Sequence, residues 1–315
     1  MTCNKKDVRE SVFFSWEKSG CAIGLIRALY TIIILRGLRK RLSKEKETNL
    51  HIKRRRIMKE KVIAVVNQKG GVAKTTTTLN LGAELVKAGK KVLLIDFDPQ
   101  GSLSVALGVV NEEIPTIADL MQLEIEDQPL PERKEIILSM HGMDLIPANI
   151  VLSATEIYLV NATCREQILK TILSQYKKDY DYILIDCGPS LGMLTINALT
   201  AADSVIIPVD GEFLSAKGLE LLLQSVARTK RKLNPDLSIE GILLTKIDTR
   251  TNLSKDIIGM IQEAYGKLHI FKSEIPLRVA VGKSIKEHKP IANFEKNSDA
   301  TKSYQALAEE VLKNE

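Results

Sequence analysis

The chain predicts a doubly wound α/β fold, a mostly parallel sheet flanked by helices, and three observations carry the prediction. Short runs rich in Val, Ile and Leu, at 62–66, 92–95, 182–185, 204–209 and 239–244, alternate with longer stretches of helical periodicity. Runs of that length and composition suit strands buried on both faces, as parallel strands are. The first run leads through a glycine-rich turn straight into a helical pattern, and two later runs end in aspartates. In a doubly wound sheet such positions gather at the carboxyl ends of the strands, where ligands bind.

The 315 residues are enough for one large domain with an ample core. The net charge of +6 is unevenly spread. Residues 1–57 hold 15 Lys/Arg against 5 Asp/Glu, a balance of +10, which leaves −4 for the remainder. The basic character therefore belongs to the leader, and a global argument from charge to nucleic acid fails. Cys3, Cys21, Cys164 and Cys187 form no C-x-x-C, which fits a reducing cytosol and supplies no metal framework.

Within the leader, residues 21–35 are largely apolar but include Arg27, and Arg36, Arg39, Lys40 and Arg41 follow. Fifteen residues fall short of the ~20 that a membrane span needs. The segment has no small-residue cleavage site, and its positive cluster lies on the wrong side for a secretory signal. A helix lying on a membrane surface is one reading. The preferred reading is that Lys53-Arg-Arg-Arg-Ile-Met58 reflects an AGGAGG ribosome-binding site read in frame, with Met58 the physiological start. The chain then divides into a basic leader, 1–57, and a single domain, 58–315; a genuine N-terminal arm is the alternative.

Helical patterns fall near 75–88, 153–160, 164–177, 192–201, 215–233, 253–268 and 301–313. Gly89 suits the end of the first. Residues 108–142, with Pro115, Pro129 and Pro131, read as surface helices and loops.

The central motif is Lys69-Gly-Gly-Val-Ala-Lys-Thr-Thr76. A glycine-rich turn between a buried strand and a helix N-terminus presents backbone N–H groups to one point, and the helix dipole adds partial positive charge there. Residues 69–76 (Lys69, Gly70, Gly71, Val72, Ala73, Lys74, Thr75, Thr76) thus form a candidate phosphate cradle. Lys74 is placed to reach the β- and γ-phosphates, and the Thr75 hydroxyl to ligate magnesium.

Two acidic strand ends complete the chemistry. Leu93-Leu-Ile-Asp96-Phe-Asp98 puts two carboxylates, two residues apart, on the side of the phosphate loop. One can hold a magnesium-bound water while the other orients the attacking water. Asp181-Tyr-Ile-Leu-Ile-Asp186 is a Walker B pattern, apolar residues ending in an acid that meets magnesium. It runs into Cys187-Gly-Pro-Ser-Leu-Gly192, whose glycines and proline suit a moving loop. Cys187 reads as a packing residue.

The loop departs from the usual G-x-x-x-x-G-K-[ST] pattern, with Gln68 and Ala73 at the glycine positions and a second lysine, Lys69, at its start. That variant resembles the deviant Walker family, which includes the ParA/Soj partition ATPases, the MinD-type ATPases and nitrogenase iron protein. The family usually carries glycine at the position of Ala73, and a methyl group there is strained if φ is positive. The stretches 183–199, 241–253 and 304–312 are similar to ParA/Soj proteins in particular, and the resemblance covers roughly residues 61–315. MinD relatives end in a basic amphipathic helix, whereas this chain ends with Glu309, Glu310 and Glu315.

The resemblance implies an ATPase using ATP and Mg2+, with Asp98 the catalytic carboxylate, Asp96 supporting it, and Thr75, Asp98 and Asp186 around the metal. It implies an ATP-dependent homodimer in which Lys69 reaches the other subunit's phosphates. A ParB-type centromere-binding partner and non-specific DNA would complete the system, giving a cytoplasmic, nucleoid-associated protein without stable membrane attachment. Thr245-Lys-Ile-Asp248 superficially resembles the N-K-x-D guanine motif, but the family favours adenine, leaving GTP the alternative. After Ile275-Pro276, Leu277 stands where Soj-type proteins have arginine and Lys283-Ser284 where they have Glu-Ala, which bears on the dimer or DNA surface.

On the helix expected at 215–233, Leu219, Leu222, Leu223, Val226 and Leu233 form one apolar stripe. Arg228 lies opposite it, with Arg231 and Lys232 within about 60° on either side. Such a face could bind phosphates non-specifically, but solvated charge is its usual explanation. The resemblance points to DNA, because Arg228 and Arg250 fall where Soj-type proteins carry DNA-binding arginines. A Min-like positioning ATPase anchored through 21–41 and a nucleotide-switched transcriptional regulator are the competing readings.

Overall fold

The computed structural model describes residues 60–109, 114–210, 215–248 and 252–314. Seven strands form one sheet: β1 (Lys61–Val65), β2 (Val92–Phe97), β3 (Leu138–Met140), β4 (Met143–Ile146), β5 (Tyr182–Cys187), β6 (Ser204–Asp210) and β7 (Ser238–Thr245). Their spatial order is β3-β4-β2-β5-β1-β6-β7. All pairings are parallel except the β3–β4 hairpin. The five apolar runs are all strands.

Alternation along each strand sends side chains into two cores, one on each face. Val62, Ala64 and Val66 pack on one side with Leu93, Ile95, Ile183 and Ile185. Helices α3 (Ile117–Ile125), α6 (Ile168–Tyr176), α7 (Met193–Ala201) and α8 (Ser215–Lys232) supply the other half of that core, through residues such as Ile117, Leu169, Leu199 and Leu222. Ile63, Leu94 and Leu184 face the opposite way, where α1 (Lys74–Lys87), the short α2 (Ser102–Ala106) and α12 (Asp299–Lys313) cover them. Burial on both faces explains why the strands read as continuous apolar runs.

From β1 the chain crosses β5 to reach β2, and from β5 it crosses β1 to reach β6. The order therefore reverses between β1 and β5, and a crevice opens beyond their carboxyl ends.

Besides the short α2, which no pattern announced, three regions depart from the expectation. The stretch read as helices and loops over 108–142 contains α3, a turn of helix α4 (Arg133–Ile136), and β3, which pairs with β4 next to it. These strands hold three and four residues, too short for a periodic signal. Their link is His141-Gly142, at φ 51° and 80°. Two positive φ values suit the tight hairpin turn that matches the strand twist. Secondly, the pattern near 153–160 resolves into α5 (Leu152–Tyr158) and a 3₁₀ turn, Leu159–Asn161. Thirdly, α10 (Val279–Lys286) and α11 (Ile291–Phe294) follow α9 (Asn252–Tyr265), where no helix was expected. Gly89, at φ 82°, does follow the end of α1.

Candidate nucleotide site

The turn after β1 is built by short polar side chains. Asn67 Oδ1 accepts from Lys69 N at 2.9 Å, and Asn67 Nδ2 donates to Pro208 O at 2.7 Å, fastening the loop to β6. From the end of β7, the Thr245 hydroxyl donates to Val72 O at 3.0 Å. Between these anchors Gly71 and Ala73 both lie in the left-handed region, at φ 75° and 66°. Left-handed residues interspersed in a turn make a concavity of N–H groups. Ala73 is also the residue before α1, whose first turn has no side-chain cap and no acid. The free N–H groups and the positive end of the helix dipole meet there.

Lys74 opens α1 and is buried, with Nζ donating to Lys69 O at 3.0 Å. Desolvation lowers its pKa, opposed by the charges of Asp186 and Asp98. A largely buried ammonium aimed back at a loop of N–H groups calls for a polyanion. The Thr75 hydroxyl donates to Asp186 Oδ2 at 2.7 Å, and Thr78 Oγ1 lies 3.5 Å from Oδ1. A hydroxyl and a carboxylate in contact beside that loop are the oxygen donors a hard cation takes alongside phosphates. The residues present therefore fit magnesium and a nucleoside triphosphate.

Asp96 and Asp186 are both fully buried and stand in register across β2 and β5. Burial pushes Asp186 well above the usual carboxylate range, with the charge of Asp96 adding to it. Burial likewise pushes Asp96 up to about 6. Asp96 is held from the far side: its Oδ2 accepts from Ser104 N at 2.8 Å and Ser104 Oγ at 2.7 Å. Ser104 Oγ in turn accepts from Ala148 N at 3.0 Å, so this carboxylate braces β2 against α2 and β4. Asp98, 9% exposed, is the less buried of Asp96 and Asp98. Its Oδ1 accepts from Gln100 N at 3.0 Å and lies 3.2 Å from where a Cβ on Gly188 would stand. Glycine at 188 lets the loop after β5 approach the carboxylate.

The structure thus brings Lys69, Lys74, Thr75, Asp98 and Asp186 to one end of the sheet, with Asp96 beneath. Cys187 is buried, and burial raises its thiol pKa, so it is an inert packing residue. Arg228, Arg231 and Lys232 are exposed on α8, while Leu219, Leu222 and Val226 of the same helix are buried. Arg250, the leader segment 21–41 and Met58 lie outside the described residues. Among the described residues no helix is long and apolar enough to cross a membrane.

Sequence reasoning missed Asn67, Ser104 and Asp210 as parts of the site. Asp210 ends β6 and takes the side chain of Lys69, 2.8 Å away. Its only signal was an acid closing an apolar run.

A phosphate loop after the first strand, a hydroxyl–carboxylate pair beside it and a second acid two strands away define a P-loop nucleotide hydrolase. The model of a family described as an AAA domain matches residues 60–239. The sporulation initiation inhibitor protein Soj of Bacillus subtilis is 43% identical over 255 residues, 81% of this chain and 99% of that protein. The chromosome-partitioning ATPase Soj of Treponema pallidum is 41% identical, over 80% of this chain and 97% of its own. A crystal structure of cobyrinic acid a,c-diamide synthase from Mycobacterium smegmatis, with bound ATP analog and magnesium, superposes with a TM-score of 0.71. It is 35% identical over 81% of this chain and 96% of that one. This chain belongs to the ParA/Soj family of partition ATPases, and ATP and magnesium are its cofactors.

Proposed function

We propose that this ATPase segregates plasmid or chromosome DNA by cycling between an ATP-dependent DNA-bound homodimer and released subunits, with a ParB-type partner stimulating hydrolysis. The observation that carries the reading is the loop with two lysines of different station. Lys74 is buried and turned into its own loop, whereas Lys69 stands at the rim, a quarter exposed. A rim lysine can serve a phosphate bound to a facing subunit; a buried one serves its own. Asp98, beside the loop after β5, is the residue assigned to orient water. Thr75 and Asp186 are assigned to the metal. The near full-length match to Soj proteins supports the partition role. The exposed Arg228, Arg231 and Lys232 supply a basic face for DNA phosphates.

A fluorescent fusion imaged in cells, paired with turnover assays, tests the proposal. Coating of the nucleoid and ATP hydrolysis stimulated by DNA are expected. An envelope pattern favours a Min-like positioning role instead, and ATP binding without DNA-stimulated turnover favours a ligand-switched regulator.

A further inference from the structure

Helix α5 and its flanks are apolar on two sides. Leu152, Thr155 and Leu159 are buried, while Ile150, Val151, Ile157, Tyr158 and Val160 are between 52 and 70% exposed. At about 100° per residue, Val151, Ile157 and Tyr158 fall within an arc of about 120°, opposite the buried side. A helix apolar all round is normally covered, and an exposed apolar patch marks an interaction surface. The stripe runs into a groove of about 410 Å³ that shares Val151 with it and is lined further by Ile114, Leu120, Leu123, Ile136 and Asp119. Residues 114–163, which carry stripe and groove, hold 2 Lys/Arg against 8 Asp/Glu, a balance of −6. The inward side of α5 meets the loop after β5. Glu156, the single charge between Leu145 and Cys164, has Oε1 accepting from Met193 N at 2.9 Å. It thereby caps the first turn of α7, which has no side-chain cap of its own. A Cβ on Gly192 would collide with that oxygen, so glycine there admits the carboxylate. Gly192 closes the loop that begins at Gly188 beside Asp98, and the Thr195 hydroxyl donates to Ser190 O within it at 2.6 Å.

We propose that the stripe and groove of α5 dock a basic, amphipathic helix of an activating partner protein, and that Glu156 carries the docking to the loop beside Asp98. The inference rests on the reading of a partner-stimulated ATPase and names the surface such a partner takes. A helix with one apolar face lays that face into an apolar groove. Charge selects among the occupants. Nucleic acid and anionic lipid are repelled by a surface of balance −6. A second copy, set stripe on stripe about a two-fold axis, brings two such surfaces together. A segment with Lys or Arg beside its apolar face is attracted by the same field. Docking that displaces α5 shifts Glu156 relative to Met193 N, and the loop follows because its far end is held there.

The test uses the full chain and two labelled peptides of about 18 residues, five helical turns, with the same leucine stripe. One peptide carries lysine beside the stripe and the other glutamate. Binding is read by fluorescence anisotropy, and amide hydrogen exchange is followed over residues 188–196. The lysine peptide should bind wild type at least tenfold more tightly than the glutamate peptide and change exchange at 188–196. The double variant Ile157→Ser, Tyr158→Ser, checked for folding by its melting curve, should bind the lysine peptide at least tenfold more weakly. Glu156→Ala should bind it without the exchange response, and Glu156→Gln, which keeps the accepting oxygen, should restore that response. Equal binding of the two peptides, or undiminished binding by the double variant, overturns the docking surface. An ATP-dependent dimer of wild type that the double variant fails to form in sedimentation makes a second copy the occupant and overturns it as well. An intact exchange response in Glu156→Ala overturns the coupling. Wild type that hydrolyses ATP faster with DNA yet binds neither peptide overturns this inference alone. Wild type without ATP turnover overturns the partner-stimulated reading and this inference with it.

Discussion

Lys69 and Asp210 lie 141 residues apart and form a two-point ion pair, with Nζ donating to the two carboxylate oxygens at 2.9 and 2.8 Å. Asp210 is 5% exposed at the end of β6. A lysine that is to serve a facing subunit must leave this partner, so Asp210 competes for it within the chain. Lys69→Ala should retain nucleotide but form no ATP-dependent dimer in sedimentation. Asp210 then loses this cation while staying buried, at a cost of about 2 kcal/mol. Adding Asp210→Asn should recover most of that stability without restoring the dimer. A dimer from Lys69→Ala would show that the lysine acts only within its own chain.

Ala73 holds φ 66° where the family usually has glycine. A left-handed residue with a Cβ costs roughly 1–2 kcal/mol, and glycine gives back about half through backbone entropy. Ala73→Gly should raise ATP affinity by up to about fivefold, near 1 kcal/mol, with a small rise in melting temperature. Calorimetric titration measures the first; a fall in affinity would mean that the methyl group makes a useful contact.

Lys74 and Asp98 should separate binding from turnover. Lys74→Ala removes the buried cation proposed to meet the β- and γ-phosphates, so nucleotide binding should be lost. Asp98→Ala leaves the loop and the Thr75–Asp186 contact in place. It should bind ATP normally, hydrolyse little and accumulate the dimer. Unchanged turnover would move the water-orienting role elsewhere, and the clasp of Ser104 on Asp96 makes that residue a weak substitute.

Arg228 is exposed on the face of α8 opposite its buried stripe. The double variant Arg228→Ala, Arg250→Ala should hydrolyse ATP at its basal rate but lose DNA binding and DNA stimulation. Each lost phosphate contact should lower the log–log salt slope of affinity by about one. Gel shifts with ATP at several salt concentrations read this directly. Binding of random duplex with the wild-type slope would make this face solvated charge and turn attention to the exposed Lys283 and Lys286 of α10.

What the sequence by itself determined was everything written in short range. The strands at 62–66 and 182–185 declared themselves because a buried parallel strand is apolar at every position. The loop from Lys69 to Thr76 was legible because glycines, lysines and hydroxyls must fall at set spacings between a strand and a helix. The amphipathic face of α8 followed from period alone. The tertiary structure decided what depends on strand order. Lys69 meets Asp210 only because β6 lies beside β1, and Thr245 ties the loop only because β7 ends next to β6. The residue pattern alone left Asp96 and Asp98 equivalent, and only the family resemblance set Asp98 apart. Packing of α2 buried the first against Ser104 and left the second at the loop, a difference set by neighbours that are distant or unsignalled in sequence. The β3–β4 hairpin escaped notice for the same reason, since strands of three and four residues are stabilised by the sheet they join and not by any periodicity of their own.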